Sequence, residues 1–378
     1  MSVVLDQPAR VLASTSEVTL ETVNPLSYPS WDNDLNQFSE ARIFHTSAWC
    51  RTLRQTYGFS PFYVVARREG RPVGILPWME VRSLRGQRRG VSLPFTDSCP
   101  LLVADREPAL SDWSLEGTTA SPTTVATQIL RRSYALGRER HWQDLEFRPG
   151  QASEPQDPAS TQFYQHSVPL KPTDASQLAH CEPSVRRSLR QARESGLTVS
   201  IGTDFASIRE YFGLHCLTRR RQGSPPQPMA FFTQIQEELL ARGHGFVILA
   251  RQGKAPVAGA VFLHSNRHAT YKFGASDLAY QALRPNQLVM WSGFREAYRL
   301  GCQQVDLGRT SLQHEGLRRF KRGWGAMEIR QSYHRFVLPS GGRQQVPDRT
   351  SGWQTRLFQI LPQWTGRWAG RLLYRYAA

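Results

Sequence analysis

Cysteine is scarce in this sequence, and it does not occur with the spacing of a metal site. The five Cys residues are scattered along the chain, and no two of them form a Cys-x-x-Cys pair. Neither a zinc site nor a disulfide scaffold is indicated, and we expect no bound metal. Free cysteines suit a reducing compartment, which favours a cytoplasmic protein.

Long apolar runs are also missing. No stretch approaches the ~20 apolar residues that a membrane-spanning helix needs. The first residues, MSVVLDQPARVLASTSEVTL, lack the charged start and long apolar core of a secretory signal. We therefore expect a protein that is neither exported nor integral to a membrane.

Acidic residues are too few to balance the basic ones. The sequence has 47 Lys and Arg against 31 Asp and Glu, a net charge of +16, and Arg greatly outnumbers Lys. This excess favours anionic partners such as phosphates, nucleic acid or acidic lipid headgroups. Two explanations of the Arg bias stay open: the planar donors of Arg suit phosphate and carboxylate, and a GC-rich genome would produce the same bias.

The remaining composition is that of a folded globular protein. Hydrophobic residues make up 40% of the chain and charged residues 21%, which excludes general disorder. At 378 residues, the chain exceeds the usual size of one hydrophobic core. Two domains are therefore expected.

Two pairs of segments repeat in the same order along the chain. VVARREGRPVGILPW from Val64 and ILARQGKAPVAGAVF from Ile248 each predict two strands joined by a tight Gly turn. SYALGRERHWQDLEFR from Ser133 and AYRLGCQQVDLGR from Ala297 each predict a helix that ends at Gly and leads into a strand. The sequence therefore indicates two copies of one α/β unit.

The repeat sets the expected domain boundaries. A Pro-, Gln- and Ser-rich stretch between the copies predicts a linker. In this alignment Asp306 corresponds to Asp144, which suggests a structural role for both. We place a first domain at 24–150, the linker at 151–160, a second domain with the expected active site at 161–340, and a basic aromatic tail at 341–378.

An Arg-rich helix is predicted early in the second copy. In EPSVRRSLRQARESG, the spacing places Val185, Leu189 and Ala192 on one apolar face, and Gly196 ends the helix. Asp204 is the predicted N-cap of the next helix.

Several motifs resemble one known family. Five stretches are similar to Fem-type aminoacyltransferases and to BioF2-like acetyltransferase domains of the GNAT-like superfamily. They are YKFGASD, LRPNQLVMW, DLGRTSLQHEGLRRFKRGWG, VSLPFTDSCPLL and VRRSLRQARESGL. The most specific match is LRRFKRGWG, which resembles their Phe-Lys-x-Gly-aromatic-Gly motif. The resemblance implies an α/β fold of two tandem GNAT-like mixed-sheet domains. It also implies transfer of an acyl or aminoacyl group to an amine on a cell-wall, polysaccharide or other cell-surface precursor.

The resemblance leaves the acyl donor open. GNAT enzymes that use acetyl-CoA carry a Q/R-x-x-G-x-G/A loop, which binds pyrophosphate before a helix. The nearest match, QRRGVS from Gln87, ends in Ser and leads into LPF rather than into a helix. We expect no tightly bound cofactor, and acyl-CoA or aminoacyl-tRNA as donor substrate.

Lys321 is the candidate that stabilises the tetrahedral oxyanion of acyl transfer. A helix from about Glu315 should turn Leu317, Phe320 and Trp324 inward, and the ammonium beside this stripe should be partly desolvated. The alternative is a solvated basic face, and the family motif favours the catalytic interpretation. Asp97 is a candidate proton acceptor or orienting group, and His314 could relay a proton from the amine.

Further residues are candidates for binding an anionic or phosphate-bearing substrate. The resemblance implies that the Arg-rich helix lies near such a substrate, although for any single one of its Arg residues surface solubility is the favoured role. No Ser-His-Asp or Cys-His arrangement is present, so direct transfer without a covalent intermediate is expected. The substrate-binding candidates are Arg186, Arg187, Arg190, Tyr271, Asn286, Arg309, Arg318, Arg319 and Phe320.

The C-terminal segment LPQWTGRWAGRLLYRYAA carries two helical stripes. Trp364, Trp368, Leu372 and Tyr376 recur every four residues, and three Arg residues form a stripe beside them. The helix could lie on the anionic inner face of the plasma membrane, or its aromatic stripe could dock on the protein's own core.

Two other classes of function compete with an acyltransferase. The charge and the basic residues around Phe320 and Trp324 would suit a nucleic-acid-binding protein, although no recognised motif is present. A transferase that uses charged tRNA would partly reconcile the two. The other alternative is a non-catalytic GNAT-like scaffold at the membrane surface.

Overall fold

The computed structural model describes residues 17–104, 124–149, 159–338, 342, 344, 358–359 and 363–376. Nearly all of the predicted linker and much of the tail lie outside these residues. The domain boundaries therefore stay a prediction.

The strands follow the alternating apolar patterns of the sequence. Each predicted Gly turn joins two of them: Gly70 and Gly253 both have a positive φ, as a tight hairpin turn requires. The described strands are β1 Val18–Val23, β2 Ser60–Pro61, β3 Tyr63–Arg68, β4 Arg71–Leu76, β5 Met79–Arg82, β6 Arg88–Ser92, β7 Leu102–Val103, β8 Asp144–Phe147, β9 Thr161–Pro169, β10 Thr198–Gly202, β11 Gly245–Gln252, β12 Ala255–Ser265, β13 His268–Ser276, β14 Gln304–Ser311 and β15 Met327–Val337.

The helices begin at capping residues that the sequence supplies. Asp204 accepts from the backbone N–H of Ser207 and starts a long helix, as predicted, and Pro285 opens another at its first turn. The described α-helices are α1 Trp31–Leu35, α2 Ser47–Tyr57, α3 Val125–Glu139, α4 Asp174–His180, α5 Pro183–Glu194, α6 Phe205–Arg221, α7 Met229–Glu238, α8 Pro285–Arg299, α9 Glu315–Arg322 and α10 Gln363–Leu373.

Among the described residues, the strands form two sheets. Four strands pair in the order β1-β3-β4-β7, and eleven pair in the order β10-β11-β12-β13-β14-β9-β15-β8-β6-β5-β2. Strand β15 pairs with β9 through its first part and with β8 through its second part. This one long strand therefore joins the two halves into a continuous sheet.

The hairpins confirm the internal repeat. β3 pairs with β4, and β11 pairs with β12, both antiparallel. The register shifts between Ala66 and Arg67 in the first hairpin and between Ala250 and Arg251 in the second. A bulge at the same place in both copies supports a common structural unit.

The alignment of Asp306 with Asp144 is wrong. The N–H of Gln143 donates to the carbonyl oxygen of Arg88 where β8 begins beside β6, and the N–H of Gln303 makes the equivalent bond to Arg267 where β14 begins beside β13, both at 2.8 Å. Glu146 and Asp306 each lie three residues beyond these glutamines. Asp306 is therefore the counterpart of Glu146. The reason is that the first helix does not end at Gly137, which lies within α3, but runs on to Glu139.

Apolar packing connects the two halves. α2 packs against α7, and the rings of Trp49 and Phe231 lie 6.1 Å apart within a core that both halves share. In the second half, α5 buries Val185, Leu189 and Ala192, as predicted. Within the described residues, no helix combines the length and apolar character needed to cross a membrane.

Candidate active site

A gap between two parallel strands marks the candidate site. β13 and β14 pair only from His268 with Gln304 to Thr270 with Asp306. Beyond this point β13 continues on β12, and β14 continues on β9. Unpaired backbone and side chains can therefore face a ligand in the middle of the sheet.

A sharp irregularity in β14 lies at this gap. The register with β9 shifts between Asp306 and Arg309, and Gly308 has a φ of 73°. Asp306 Oδ1 accepts from the Gly308 N–H at 2.7 Å. A methyl group at Gly308 would lie 2.5 Å from Asp97 Oδ2. Only glycine therefore lets the Asp97 carboxylate approach the strand.

The loop that follows β6 brings Asp97 to this place. Phe95 packs among the rings of Tyr57 and Phe231, at centroid distances of 4.9 and 6.2 Å. Arg148 donates to the carbonyl oxygens of Leu93 and Thr96 at 3.0 and 2.9 Å. The loop is thus fixed by apolar contacts on one side and by a guanidinium on the other.

Lys321 enters the gap from α9. Its side chain is buried at 6% exposure, and its ammonium donates to the carbonyl oxygens of Gly308 and Arg309 at 2.8 and 3.0 Å. An ammonium has three donors, and these contacts use two of them. Burial lowers the pKa of Lys321 to about 8, although Asp97 and Asp306 oppose this shift.

A second lysine, Lys272 on β13, lies in the same cluster. Its ammonium donates to the Phe95 carbonyl oxygen at 2.5 Å and lies 5.1 Å from the centroid of the Phe44 ring. Burial lowers the pKa of Lys272, while Asp97 and Asp306 raise it. We call Asp97, Lys272, Asp306, Arg309 and Lys321 the charge cluster.

Asp97 is held in its ionised form. Burial would raise the pKa of its carboxyl, but Lys272, Arg309 and Lys321 outweigh burial, so the pKa is lower than usual. The Tyr333 hydroxyl also donates to the Asp97 backbone oxygen at 2.5 Å. The carboxylate can therefore accept a hydrogen bond from a cationic or N–H-bearing ligand.

Asp306 is the buried carboxylate of the charge cluster. It is buried and accepts from Gln165 at 2.9 Å, and it pairs with Arg42 at 3.4 Å. Because it also holds the Gly308 N–H, its carboxylate fixes the shape of the bulge. Asp306 is therefore a positioning residue in this arrangement.

The predicted inward face of α9 is wrong. Trp324, just beyond the helix, is fully buried, and Phe320 is half-buried, but Leu317 is 36% exposed and the buried residue of the helix is Lys321. The side of α9 that faces β14 meets backbone carbonyl oxygens, which a lysine satisfies and a leucine would leave without partners. His314 is exposed, and its Nδ1 accepts from the Leu317 N–H, so its ring caps the helix.

The Arg-rich helix α5 lies beside the end of α9. Glu182 N–H donates to the Gly323 carbonyl oxygen at 2.8 Å, and a methyl group at Gly323 would lie 2.9 Å from Val185 Cγ2. The three predicted phosphate ligands on α5 are all exposed: Arg186, Arg187 and Arg190.

The other predicted arginines differ in their surroundings. Arg318 donates to both carboxylate oxygens of Glu328 at 2.7 Å and would have to leave this pair to bind a phosphate. Arg319 is exposed. Arg309 is partly exposed at the charge cluster, where its guanidinium lies 4.4 Å from the centroid of the Phe163 ring.

The remaining two predicted ligands, Tyr271 and Asn286, lie on β13 and on α8, the helix that follows it. Tyr271 is on β13, and burial raises the pKa of its hydroxyl to about 12. Asn286, in the first turn of α8, donates to Ser276 Oγ at 3.3 Å. Their roles in substrate binding therefore stay predictions.

The sequence analysis did not identify Lys272 or Arg42 as members of the site. Lys272 carried a usable signal, because only four Lys residues occur in the chain and it stands in an alternating strand. Arg42 carried none, since its partner Asp306 is remote in sequence. No cluster of His, Cys, Asp and Glu suited to a metal ion occurs in the part of the chain that the structure describes.

Comparisons with known proteins point to one superfamily. Residues 180–322 match the family model described as an acetyltransferase (GNAT) domain. No sequence among the curated proteins matches the chain. The matched residues include α5, the separated strands and the Phe320-Lys321 pair. Residues 180–322 are therefore similar to GNAT-type acetyltransferase domains, and the predicted resemblance to the GNAT-like superfamily is confirmed for this part of the chain.

Solved structures support the fold. FemX is similar with a TM-score of 0.65 and 13% identity, over 85% of this chain and 98% of that one. A tandem GNAT protein from the clavulanic acid biosynthesis pathway gives 0.45 and 10%, over 85% and 99% of the two chains. L-PGS from Bacillus licheniformis gives 0.49 and 8%, over 81% and 90%. The similarity to FemX, together with the hairpin that recurs in both halves, confirms the predicted mixed-sheet α/β fold.

Proposed function

We propose, from the GNAT-type domain in residues 180–322, that this chain transfers an acyl or aminoacyl group directly to an amine at the charge cluster. The observation that carries the proposal is the position of the cluster. At the gap between the parallel strands, Lys321 of the half that matches the acetyltransferase model comes close to Asp97, which the first half contributes. A reaction that develops negative charge requires such fixed donors.

Lys321 stabilises the tetrahedral oxyanion in this mechanism. Two of its donors are held by the Gly308 and Arg309 carbonyl oxygens, which fixes the ammonium before substrate binds. The third donor is directed at the carbonyl oxygen of the donor substrate as that oxygen gains charge. Partial desolvation strengthens this interaction relative to water.

Asp97 orients the attacking amine. Its ionised carboxylate accepts a hydrogen bond from the amine, whose nitrogen forms a C–N bond with the acyl carbon. Collapse of the tetrahedral intermediate breaks the bond to the leaving thiolate of a CoA thioester or to the ribose oxygen of an aminoacyl-tRNA. The proton that the amine loses passes to the leaving group or to solvent. Because the amine attacks the acyl carbon directly, no covalent enzyme intermediate forms.

The acceptor that we propose is an amine on a phosphate-bearing, cell-surface precursor in a bacterial cytoplasm. The exposed guanidinium groups of Arg186, Arg187 and Arg190 stand next to the Phe-Lys helix and suit a phosphate. Arg309 supplies a further cation at the cluster itself. The net charge of +16 would raise the local concentration of such an anion.

Mass spectrometry of the reaction products tests the proposal. Purified protein is offered acyl-CoA or aminoacyl-tRNA together with lipid-linked and sugar-amine acceptors. The expected result is an acceptor heavier by one acyl or aminoacyl group, with the protein mass unchanged. A folded protein that modifies no acceptor with either donor would contradict it.

A binding assay separates this function from the nucleic-acid-binding alternative. A transferase that uses charged tRNA binds aminoacyl-tRNA more tightly than uncharged tRNA or bulk DNA. A general nucleic-acid-binding protein binds all three with a steep salt dependence. Equal affinity for the three ligands would favour the latter.

A further inference from the structure

The C-terminal helix α10 is docked on the protein by its small residues. A methyl group at Gly366 would lie 3.6 Å from Pro226 Cδ, and one at Gly370 would overlap the Pro226 carbonyl oxygen. Just after the helix, the Tyr374 hydroxyl donates to the Pro225 carbonyl oxygen at 3.0 Å, and Tyr374 packs on Phe95. The glycine face is therefore the side that the protein itself covers.

The opposite face of α10 carries large apolar side chains that the protein leaves in solvent. Trp364 is 70% exposed, Trp368 is 65% exposed and Leu372 is 44% exposed. Their spacing of four residues places them in one stripe along the helix. Exposed Trp is uncommon, and two on one stripe indicate a surface that contacts something else. The expectation that this stripe docks on the protein's own core is not met.

Positive charge accompanies this stripe. Arg367, Arg371 and Arg375 follow the same spacing along the segment and are exposed, and Arg220 and Arg221 are exposed at the end of the neighbouring helix α6. Guanidinium groups beside Trp rings suit a bilayer interface, where the rings lie at headgroup level and the cations meet lipid phosphates. A second copy of this chain carries the same net charge of +16 and would be repelled.

We propose that α10 binds the surface of an anionic lipid bilayer, with Trp364, Trp368 and Leu372 inserted at headgroup depth. The helix lies in the plane of the interface, because its 11 residues span only about 16 Å. The proposal does not depend on the proposed transfer reaction. If both hold, the bound protein meets lipid-linked acceptors at the membrane.

Co-sedimentation with vesicles tests the proposal. The intact protein is mixed at low salt with vesicles of phosphatidylglycerol and phosphatidylcholine in equal parts, or of phosphatidylcholine alone. Binding is expected to the anionic vesicles and to weaken with salt. Trp364→Ala with Trp368→Ala should reduce the binding constant by roughly tenfold or more. Leu84→Ala, at a side chain that is also 70% exposed, is the matched control and should bind normally.

A charge variant gives an independent readout. Replacing Arg367, Arg371 and Arg375 by Gln should weaken binding about a hundredfold, while a thermal melt reports whether the fold is kept. Truncation is a poorer test, because it also removes Tyr374 from the core. The proposal is overturned if the intact protein ignores anionic vesicles, or if both variants bind like wild type. It is also overturned if sedimentation equilibrium shows that the Trp residues instead hold two copies together.

Discussion

At the scale of single residues, two buried lysines supply positive charge beside the carboxylates of Asp97 and Asp306. Lysine is rare in this chain, and yet Lys272 and Lys321 both approach Asp97 and Asp306. Arginine would keep its charge under all conditions, whereas a desolvated ammonium is compact and titrates. The use of lysine here, in a chain that otherwise uses arginine, is consistent with a chemical role.

The pKa of Lys321 leads to a prediction about pH. The cation is the form that stabilises an oxyanion, so its contribution is present below pH 8 and is lost as the pH rises through about 8. In Lys321→Arg the charge persists to much higher pH. The ratio of wild-type to variant transfer rates should therefore fall above pH 8.

Measuring this ratio removes the ionisation of the substrate amine, which affects both proteins equally. Initial rates from pH 6 to about 10 are sufficient. A ratio that rises with pH would mean that neutral Lys321 acts as a base instead.

At the scale of elements, the β14 bulge should be sensitive to a single methyl group. Gly308→Ala places a Cβ against the Asp97 carboxylate and should lower transfer strongly, by displacing that group. Gly301→Ala is the matched control, since Gly301 also has a positive φ but nothing within 4 Å of the added methyl. Both variants should lose about 1–2 kcal/mol of unfolding free energy from backbone strain.

Urea unfolding and transfer assays on the two variants separate strain from function. Equal activity in both variants would show that the Asp97 contact does not matter. A loss of activity in Gly301→Ala alone would place the reacting groups elsewhere.

The Arg-rich helix predicts a separate effect on substrate binding. Replacing Arg186, Arg187 and Arg190 together by Gln should raise KM by about tenfold or more with little change in kcat, because a bound phosphate loses its partners before chemistry begins. Steady-state kinetics measure this. The control makes the same charge change at three exposed residues of the first half: Arg54, Arg71 and Arg85. An unchanged KM in the α5 variant would show that these arginines face solvent and do not bind the substrate.

The sequence predicted the elements better than their burial. Val185, Leu189 and Ala192 follow helical spacing and are buried, because α5 packs on apolar neighbours. The same reasoning failed for Leu317, because α9 faces the carbonyl oxygens of a strand bulge. Apolar periodicity does not report what lies opposite a helix, so only the family motif identified Lys321.

At the scale of the whole molecule, the counterpart of Asp306 in the first half supports the site from a distance. Glu146 pairs with Arg148, which holds the Asp97 loop, and with Arg89 at 3.1 Å. Burial would raise the pKa of Glu146, but these guanidinium groups outweigh burial and hold it at about 2. The repeat thus supplies a positioning ion pair in one half and part of the charge cluster in the other.

This ion pair predicts how stability depends on acid. Because the folded pKa of Glu146 lies below its ordinary 4.5, its contribution is present above pH 4.5 and is lost as the pH falls towards 2. Glu146→Gln should cost about 3 kcal/mol of unfolding free energy near neutral pH, and this difference should shrink in acid. Denaturant unfolding at several pH values measures it, with the exposed Glu194→Gln as control. A difference that does not change with pH would contradict the assignment.

The most direct test of the central claim measures, by mass spectrometry, how fast wild type and Lys321→Met form the modified acceptor. Met keeps the unbranched side chain as far as Cε and removes the ammonium, and Lys254→Met in the β11–β12 turn is the control. Wild type and the control should add one acyl or aminoacyl group to the acceptor amine. Lys321→Met, still folded by its thermal melt, should be slower by an amount equivalent to about 2–4 kcal/mol of transition-state stabilisation. Wild-type turnover in folded Lys321→Met would contradict the account.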